Sequence, residues 1–78
     1  MKVTIYGAGS CPFCQRAKMV CKAKGLQYEY KEIGVDITKE MLTEQIGTFS
    51  TVPQIFITSD GFSEYVGGFD EFYKKLTK

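Results

Sequence analysis

The sequence predicts an α/β domain in which strands and helices alternate in the order βαβαββα. Apolar runs typical of strands alternate with segments of helical periodicity. An Asp-Gly pair late in the chain marks a tight hairpin turn, and a Cys-x-x-Cys pair stands where the first strand gives way to the first helix. The chain has 78 residues, which is enough for one small core. We therefore expect a single domain over residues 1–78.

The first half of the chain predicts a strand, a helix and a second strand. Residues 2–6 form a short, mostly apolar strand, and residues 12–24 show helical spacing until Gly25 stops the helix. Residues 27–33 alternate in the manner of a half-exposed strand. Such a βαβ unit has a right-handed crossover and parallel strands. The apolar positions of the helix are Phe13, Ala17, Val20 and Cys21.

The second half predicts a short helix, a hairpin and a last helix. Thr38 can cap the short helix through its side-chain oxygen, and Gly47 ends it. A strand over residues 54–57 reaches the Asp-Gly pair at 60–61, so residues 62–66 return antiparallel to it. The residues expected to face the core are Met41, Leu42 and Ile46 in the short helix and Phe69, Phe72, Tyr73 and Leu76 in the last one.

Composition and charge exclude several classes of protein. Hydrophobic residues make up 44% of the chain and aromatic residues 14%, which indicates a globular rather than a disordered protein. No stretch has the pattern of a membrane span or a secretion signal, so we expect a soluble protein of the reducing cytoplasm. The net charge is +1. Basic and aromatic residues do not alternate in the manner typical of nucleic-acid-binding proteins. No acid precedes Glu29, which makes the cysteine end of the chain locally positive.

Cys11 and Cys14 form the candidate redox centre. A helix start directs unpaired N–H groups and the positive end of the helix dipole at Cys11, which favours its thiolate form. Pro12 suits the first helical position, where the missing N–H costs nothing. Cys14 follows one turn later, close enough to form a disulfide with Cys11. We therefore expect Cys11 to be the nucleophile.

Two other interpretations of this cysteine pair are weaker. A closed zinc site would need two more ligands, but the chain has no histidine and one further cysteine, Cys21. A structural disulfide across so short a loop would stabilise the fold little. We expect Cys21 to be a buried small hydrophobe, with a third redox thiol or a glutathionylation site as the alternative.

Three motifs in this order resemble those of the glutaredoxin family, in its short dithiol form. They are Cys-Pro-Phe-Cys at 11–14, Thr-Val-Pro at 51–53 and Gly-Gly-Phe-Asp at 67–70. The resemblance covers essentially the whole chain. It implies a thioredoxin-like fold, a four-stranded mixed sheet with helices on both faces. It also implies a monomeric thiol-disulfide oxidoreductase that uses glutathione as co-substrate, needs no metal, and reduces protein disulfides and protein–glutathione mixed disulfides.

The resemblance also implies roles for individual residues. Cys11 attacks a disulfide, and Cys14 resolves the intermediate when the partner is a protein. Pro53 follows a cis peptide bond, beside which exposed backbone pairs with the cysteine part of glutathione. The backbone at 67–68 receives the γ-glutamyl carboxylate and Asp70 pairs with its amino group, although Asp70 could instead only complement the helix dipole. The implied glutathione-binding residues are Phe13, Thr51, Val52, Pro53, Gly68, Phe69 and Asp70.

Two positions depart from the family pattern. Many glutaredoxins carry a lysine where this chain has Ala8 and a basic residue where it has Phe49. Both basic residues would help to hold a carboxylate of glutathione. Lys18 and Gln15 are the candidates to replace them.

Three alternatives to a glutathione-dependent enzyme stay open. The two lost basic residues leave open a redoxin that thioredoxin reductase reduces, whereas the Gly-Gly-Phe-Asp motif favours glutathione. An iron–sulfur cluster carrier would use Cys11 of two copies and two glutathione thiols as ligands, but Pro12 resembles the redox type. A non-catalytic binding module is opposed by the presence of both cysteines. If the protein is an enzyme, the family implies recipients such as ribonucleotide reductase.

Overall fold

The computed structural model describes residues 1–77 and contains seven elements in the predicted order. They are β1 (Lys2–Gly7), α1 (Pro12–Ala23), β2 (Gln27–Glu32), α2 (Lys39–Ile46), β3 (Gln54–Ser59), β4 (Phe62–Gly67) and α3 (Phe69–Thr77). Lys78, the last residue of the predicted domain, lies outside the described residues. Within residues 1–77, no helix has the length and apolar character needed to cross a membrane.

The four strands form one mixed sheet in the order β2-β1-β3-β4. β1 and β2 are parallel, as the βαβ unit predicts, and Ile5 is paired with Tyr30. β3 is antiparallel to both β1 and β4. The predicted fold class is confirmed. Because Tyr6 near the end of β1 pairs with Gln54 at the start of β3, the loop that follows β1 lies beside the loop that precedes β3.

The main core lies between one face of the sheet and the helices α1 and α3, which contact each other. Val3 and Ile5 alternate along β1 and are fully buried. Ala17 and Cys21 from α1 and Phe72 from α3 pack against them. Burial contributes about 1.5–3 kcal/mol for each large apolar side chain. The prediction that Cys21 is buried is confirmed, and its burial raises the pKa of its thiol.

Two of the side chains predicted to face the core do not. Met41 is 53% exposed and Tyr73 is 47% exposed, whereas Leu42 and Phe72 beside them are fully buried. The side chains of neighbouring helix residues point about 100° apart. When only a narrow stripe of the helix packs against the rest of the protein, one of two adjacent apolar side chains is buried and the other stays exposed. Tyr73 instead stacks at the surface on the ring of Phe69, with the ring centres 5.8 Å apart.

The predicted helix cap and hairpin turn are confirmed. The Thr38 hydroxyl accepts a hydrogen bond from the Met41 N–H at 3.0 Å at the start of α2. Asp60 and Gly61 have φ angles of 53° and 78°, the left-handed values that a two-residue hairpin of this type requires. The strands β3 and β4 run slightly further than predicted, to Ser59 and Gly67.

Candidate active site

Cys11 occupies the N-cap position of α1, and Pro12 is the first residue of the helix, as predicted. The Cys11 sulfur accepts a hydrogen bond from the Cys14 N–H at 3.3 Å. The Cys11 thiol donates to the carbonyl oxygen of Val52 at 3.5 Å. The predicted nucleophile is therefore held between the helix start and the loop that precedes β3.

The three cysteines are free thiols that differ in access to solvent. Cys11 is partly exposed, whereas Cys14 and Cys21 are fully buried. Burial, followed by the hydrogen bond with Cys11, raises the pKa of Cys14 to about 11. Cys14 is thus a protonated, enclosed thiol at neutral pH. A disulfide substrate that approaches from solvent meets Cys11 first.

The loop before β3 carries the cis peptide bond that the family resemblance implies, between Val52 and Pro53. The side chain of Gln54, which is 4% exposed, holds this loop. Its amide nitrogen donates to the Thr51 carbonyl at 2.8 Å, and its amide oxygen accepts from the Tyr65 hydroxyl at 2.5 Å. This pair ties the loop to β4 and was not predicted. The sequence signal for it was Gln54 itself, an amide side chain in an otherwise apolar strand.

A groove of about 340 Å³ opens between this loop and the start of α3, within the range of small-molecule sites. Phe13 and Phe69 form an apolar wall, with their ring centres 6.0 Å apart. Phe13 is 47% exposed. Although it belongs to the apolar positions of α1, its side chain therefore lines this groove and is not part of the core. All seven residues predicted to bind glutathione line the groove: Phe13, Thr51, Val52, Pro53, Gly68, Phe69 and Asp70.

The far end of the groove is built on two glycines and two acids. Gly67 has a φ of 118°, a conformation that favours glycine. The Gly68 carbonyl accepts a hydrogen bond from the Phe72 N–H at 3.1 Å, at the first turn of α3. A Cβ atom at Gly68 would lie 3.5 Å from a carboxylate oxygen of Glu71. Glu71, which was not predicted, thus joins Asp70 beside the helix start.

A second cleft of about 250 Å³ contains both positions that depart from the family pattern, Ala8 and Phe49. Lys39, the first residue of α2, lines the same cleft, and its amine lies 5.9 Å from the centre of the Phe49 ring. The ammonium group of Lys18 instead lies over the Tyr30 ring, 4.3 Å from its centre. Of the described residues that line the two clefts, Lys39 is basic, and neither Lys18 nor Gln15 is among them.

Metal ligands are not grouped in the part of the chain that the structure describes. Within residues 1–77, no cluster of three or more histidine, cysteine, aspartate or glutamate side chains could hold a metal ion.

Known proteins resemble this chain in sequence and in structure. The family model described as Glutaredoxin matches residues 3–62. Glutaredoxin 1 of Escherichia coli is 35% identical over 79 residues, which cover 92% of this chain and 88% of that protein. A probable glutaredoxin of Synechocystis sp. is 40% identical over 73 residues, which cover 92% of this chain and 63% of that protein.

Solved glutaredoxin structures give the same result. The structure of reduced Escherichia coli glutaredoxin has a TM-score of 0.80 and 33% identity, over 99% of this chain and 94% of that chain. The solution structure of glutaredoxin from Brucella melitensis has a TM-score of 0.64 and 38% identity, over 99% and 79% of the two chains. The chain therefore belongs to the glutaredoxin family of thiol-disulfide oxidoreductases.

Proposed function

We propose that this protein uses glutathione to reduce protein disulfides and protein–glutathione mixed disulfides, with Cys11 as nucleophile and Cys14 as resolving thiol. One observation carries the proposal. The accessible thiol of Cys11 lies against the Val52 carbonyl, on the loop that also lines a groove with backbone, aromatic and acidic groups. A γ-glutamyl tripeptide thiol needs these groups.

The groove offers a partner for each part of glutathione. Backbone groups of Val52 can pair with the cysteine part as an added strand does, which brings its sulfur toward Cys11. The γ-glutamyl carboxylate suits the free N–H groups at the start of α3. Its ammonium group suits the carboxylates of Asp70 and Glu71, both of which line the groove.

Thiol-disulfide exchange with a protein disulfide proceeds in three steps. The Cys11 thiolate attacks one sulfur of the disulfide, a bond forms between them, and the other sulfur leaves as a thiolate. Cys14 then attacks the Cys11 sulfur, which closes the internal disulfide and releases the reduced protein. Two glutathione molecules finally reduce the internal disulfide and leave as glutathione disulfide.

A protein–glutathione mixed disulfide requires Cys11 alone. Cys11 attacks the sulfur of the glutathione moiety, and the protein thiol leaves. A second glutathione then attacks the same sulfur, which restores the Cys11 thiol and releases glutathione disulfide. Ribonucleotide reductase as a recipient, the monomeric state and the cytoplasmic location remain predictions of the sequence and its family resemblance.

Lys39 is our candidate for the cation that Ala8 and Phe49 do not supply, and it would pair with the glycyl carboxylate of glutathione. Lys39→Ala is expected to raise the KM for glutathione by a factor of about 1.4 to 5 with little change in kcat, because an exposed ion pair contributes about 0.2–1 kcal/mol. Steady-state kinetics at varied glutathione concentration measures this change.

Lys24→Ala is the matched control for Lys39→Ala, because it also removes an exposed lysine. Lys24 is the C-cap of α1, whereas Cys11 is its N-cap, so the two lie at opposite ends of the helix. The control is expected to keep the wild-type KM. An equal rise in both variants would indicate a general effect of positive charge and would contradict a specific contact at Lys39.

The electron source tests the proposed function directly. Reduction of a small mixed disulfide is followed in two assays, one with glutathione and glutathione reductase and one with thioredoxin reductase. Turnover with glutathione supports the proposal. Turnover with thioredoxin reductase alone would contradict it and would show that Ala8 and Phe49 mark a change of reductant.

A further inference from the structure

A tyrosine hydroxyl lies on the buried side of the cysteine pair, and the exchange steps above do not use it. Tyr30 of β2 donates a hydrogen bond to the Ala8 carbonyl at 3.2 Å. A Cβ atom at Gly7 would lie 2.6 Å from the Tyr30 hydroxyl oxygen and 2.7 Å from the Cys14 sulfur. Both atoms thus approach the same point, and the missing side chain of Gly7 leaves them room to meet.

We propose that Tyr30 is a positioning residue for Cys14, whose hydroxyl turns from the Ala8 carbonyl to the Cys14 sulfur and stabilises the thiolate that closes the internal disulfide. This inference rests on the proposed dithiol mechanism and deepens it. It separates the step that uses Cys14 from the step that uses Cys11 alone.

The resolving thiol needs this help because it is enclosed. Burial raises the pKa of Cys14 to about 11, and a hydrogen bond from the Tyr30 hydroxyl to its sulfur lowers it. Burial and the neighbouring Cys14 raise the pKa of Tyr30 itself to about 12. The hydroxyl therefore keeps its proton at neutral pH and can serve as a hydrogen-bond donor.

The closing step balances without proton transfer from Tyr30. The Cys14 thiol gives its proton to a solvent base, and its thiolate attacks the Cys11 sulfur of the mixed disulfide. A bond forms between the sulfurs of Cys14 and Cys11. The bond between Cys11 and the partner breaks, and its electron pair leaves with the partner sulfur, which takes up a proton.

Other ionisable groups surround the two residues. Cys11 lies at the start of α1, and Lys18 places its amine 4.3 Å from the centre of the Tyr30 ring. The electrostatic effect of Glu32, at the end of β2, raises the pKa of the Tyr30 hydroxyl. A Tyr30→Phe substitution leaves these groups and the ring in place. It therefore isolates the hydroxyl.

The two steps can be timed separately with hydroxyethyl disulfide as the probe. Reduced protein is mixed with the probe and quenched with acid, and mass spectrometry separates the Cys11 mixed disulfide from the internal disulfide. In Tyr30→Phe we expect closure about tenfold slower at neutral pH, because a hydrogen bond to a charged group is lost. The pH profile of closure should shift to higher pH, and the mixed disulfide should form at the wild-type rate.

Tyr28→Phe is the matched control, since Tyr28 lies two residues earlier in β2 and is also partly buried. It is expected to keep the wild-type rates for both steps. A Tyr30→Phe variant with unchanged closure rate and pH profile would overturn the proposal, and so would equal slowing of both steps. Because the probe contains no glutathione, a failure to turn over glutathione would count against the proposed function and not against the role of Tyr30.

Discussion

Replacing Cys11 by serine is expected to abolish reduction of every disulfide substrate, by at least about 1,000-fold. Cys11 is the accessible cysteine of the three, and Cys14 and Cys21 have no exposed surface. A serine hydroxyl is not ionised at neutral pH, so it cannot replace the attacking thiolate. The glutathione-coupled assay with a small mixed disulfide measures the loss.

Cys14→Ser and Cys21→Ser are the two comparisons for this result. Cys14→Ser is expected to keep part of the activity on glutathione mixed disulfides, because a second glutathione can resolve that intermediate in place of Cys14. The same variant is expected to lose reduction of protein disulfides, which needs Cys14. Cys21→Ser should keep both activities. Substantial activity in Cys11→Ser would contradict the assignment of the nucleophile. Brief alkylation at neutral pH, with the modified peptide identified, should label Cys11 before the buried thiols.

Local sequence signals predicted most of the fold correctly. The Thr38 cap depends on a hydrogen bond between neighbours in sequence, and the Asp60-Gly61 turn depends on φ angles that these residues favour. The exposure of Met41 and Tyr73 was not predicted. Apolar spacing shows that a helix has an inward side, but the width of the covered stripe depends on which elements pack against it.

In the site, too, residues in contiguous motifs were predicted, and residues that meet only through the fold were not. The three motifs predicted seven of the residues that line the groove, because each motif is contiguous in sequence. Gln54 and Tyr65 join through the pairing of β3 with β4, and Tyr30 reaches Cys14 because β2 lies parallel to β1 beneath α1. Lys39 reaches the second cleft from the start of α2. These contacts arise from strand register and helix placement, which residue spacing does not specify.

The reduced protein is expected to lose stability steeply as the pH rises from 9 to 11. The pKa of Cys14 is raised from its ordinary value of 9.0 to about 11, chiefly by burial, and burial raises the pKa of Cys21 as well. Above pH 9 the unfolded chain releases these protons while the folded chain still holds them. The folded state then binds more protons, so the free energy of unfolding falls with rising pH.

The size of this effect is large for a small domain. The rise in the pKa of Cys14 from 9.0 to about 11 corresponds to roughly 2–3 kcal/mol, against a total stability of about 5–15 kcal/mol. Urea unfolding under reducing conditions, repeated from pH 7 to pH 11, measures the change. The oxidised form of the same chain is the matched control, because a disulfide between Cys11 and Cys14 leaves Cys14 no proton to release. We expect a shallower decline in that form, while equal declines in both forms would assign the pH dependence to groups other than Cys14.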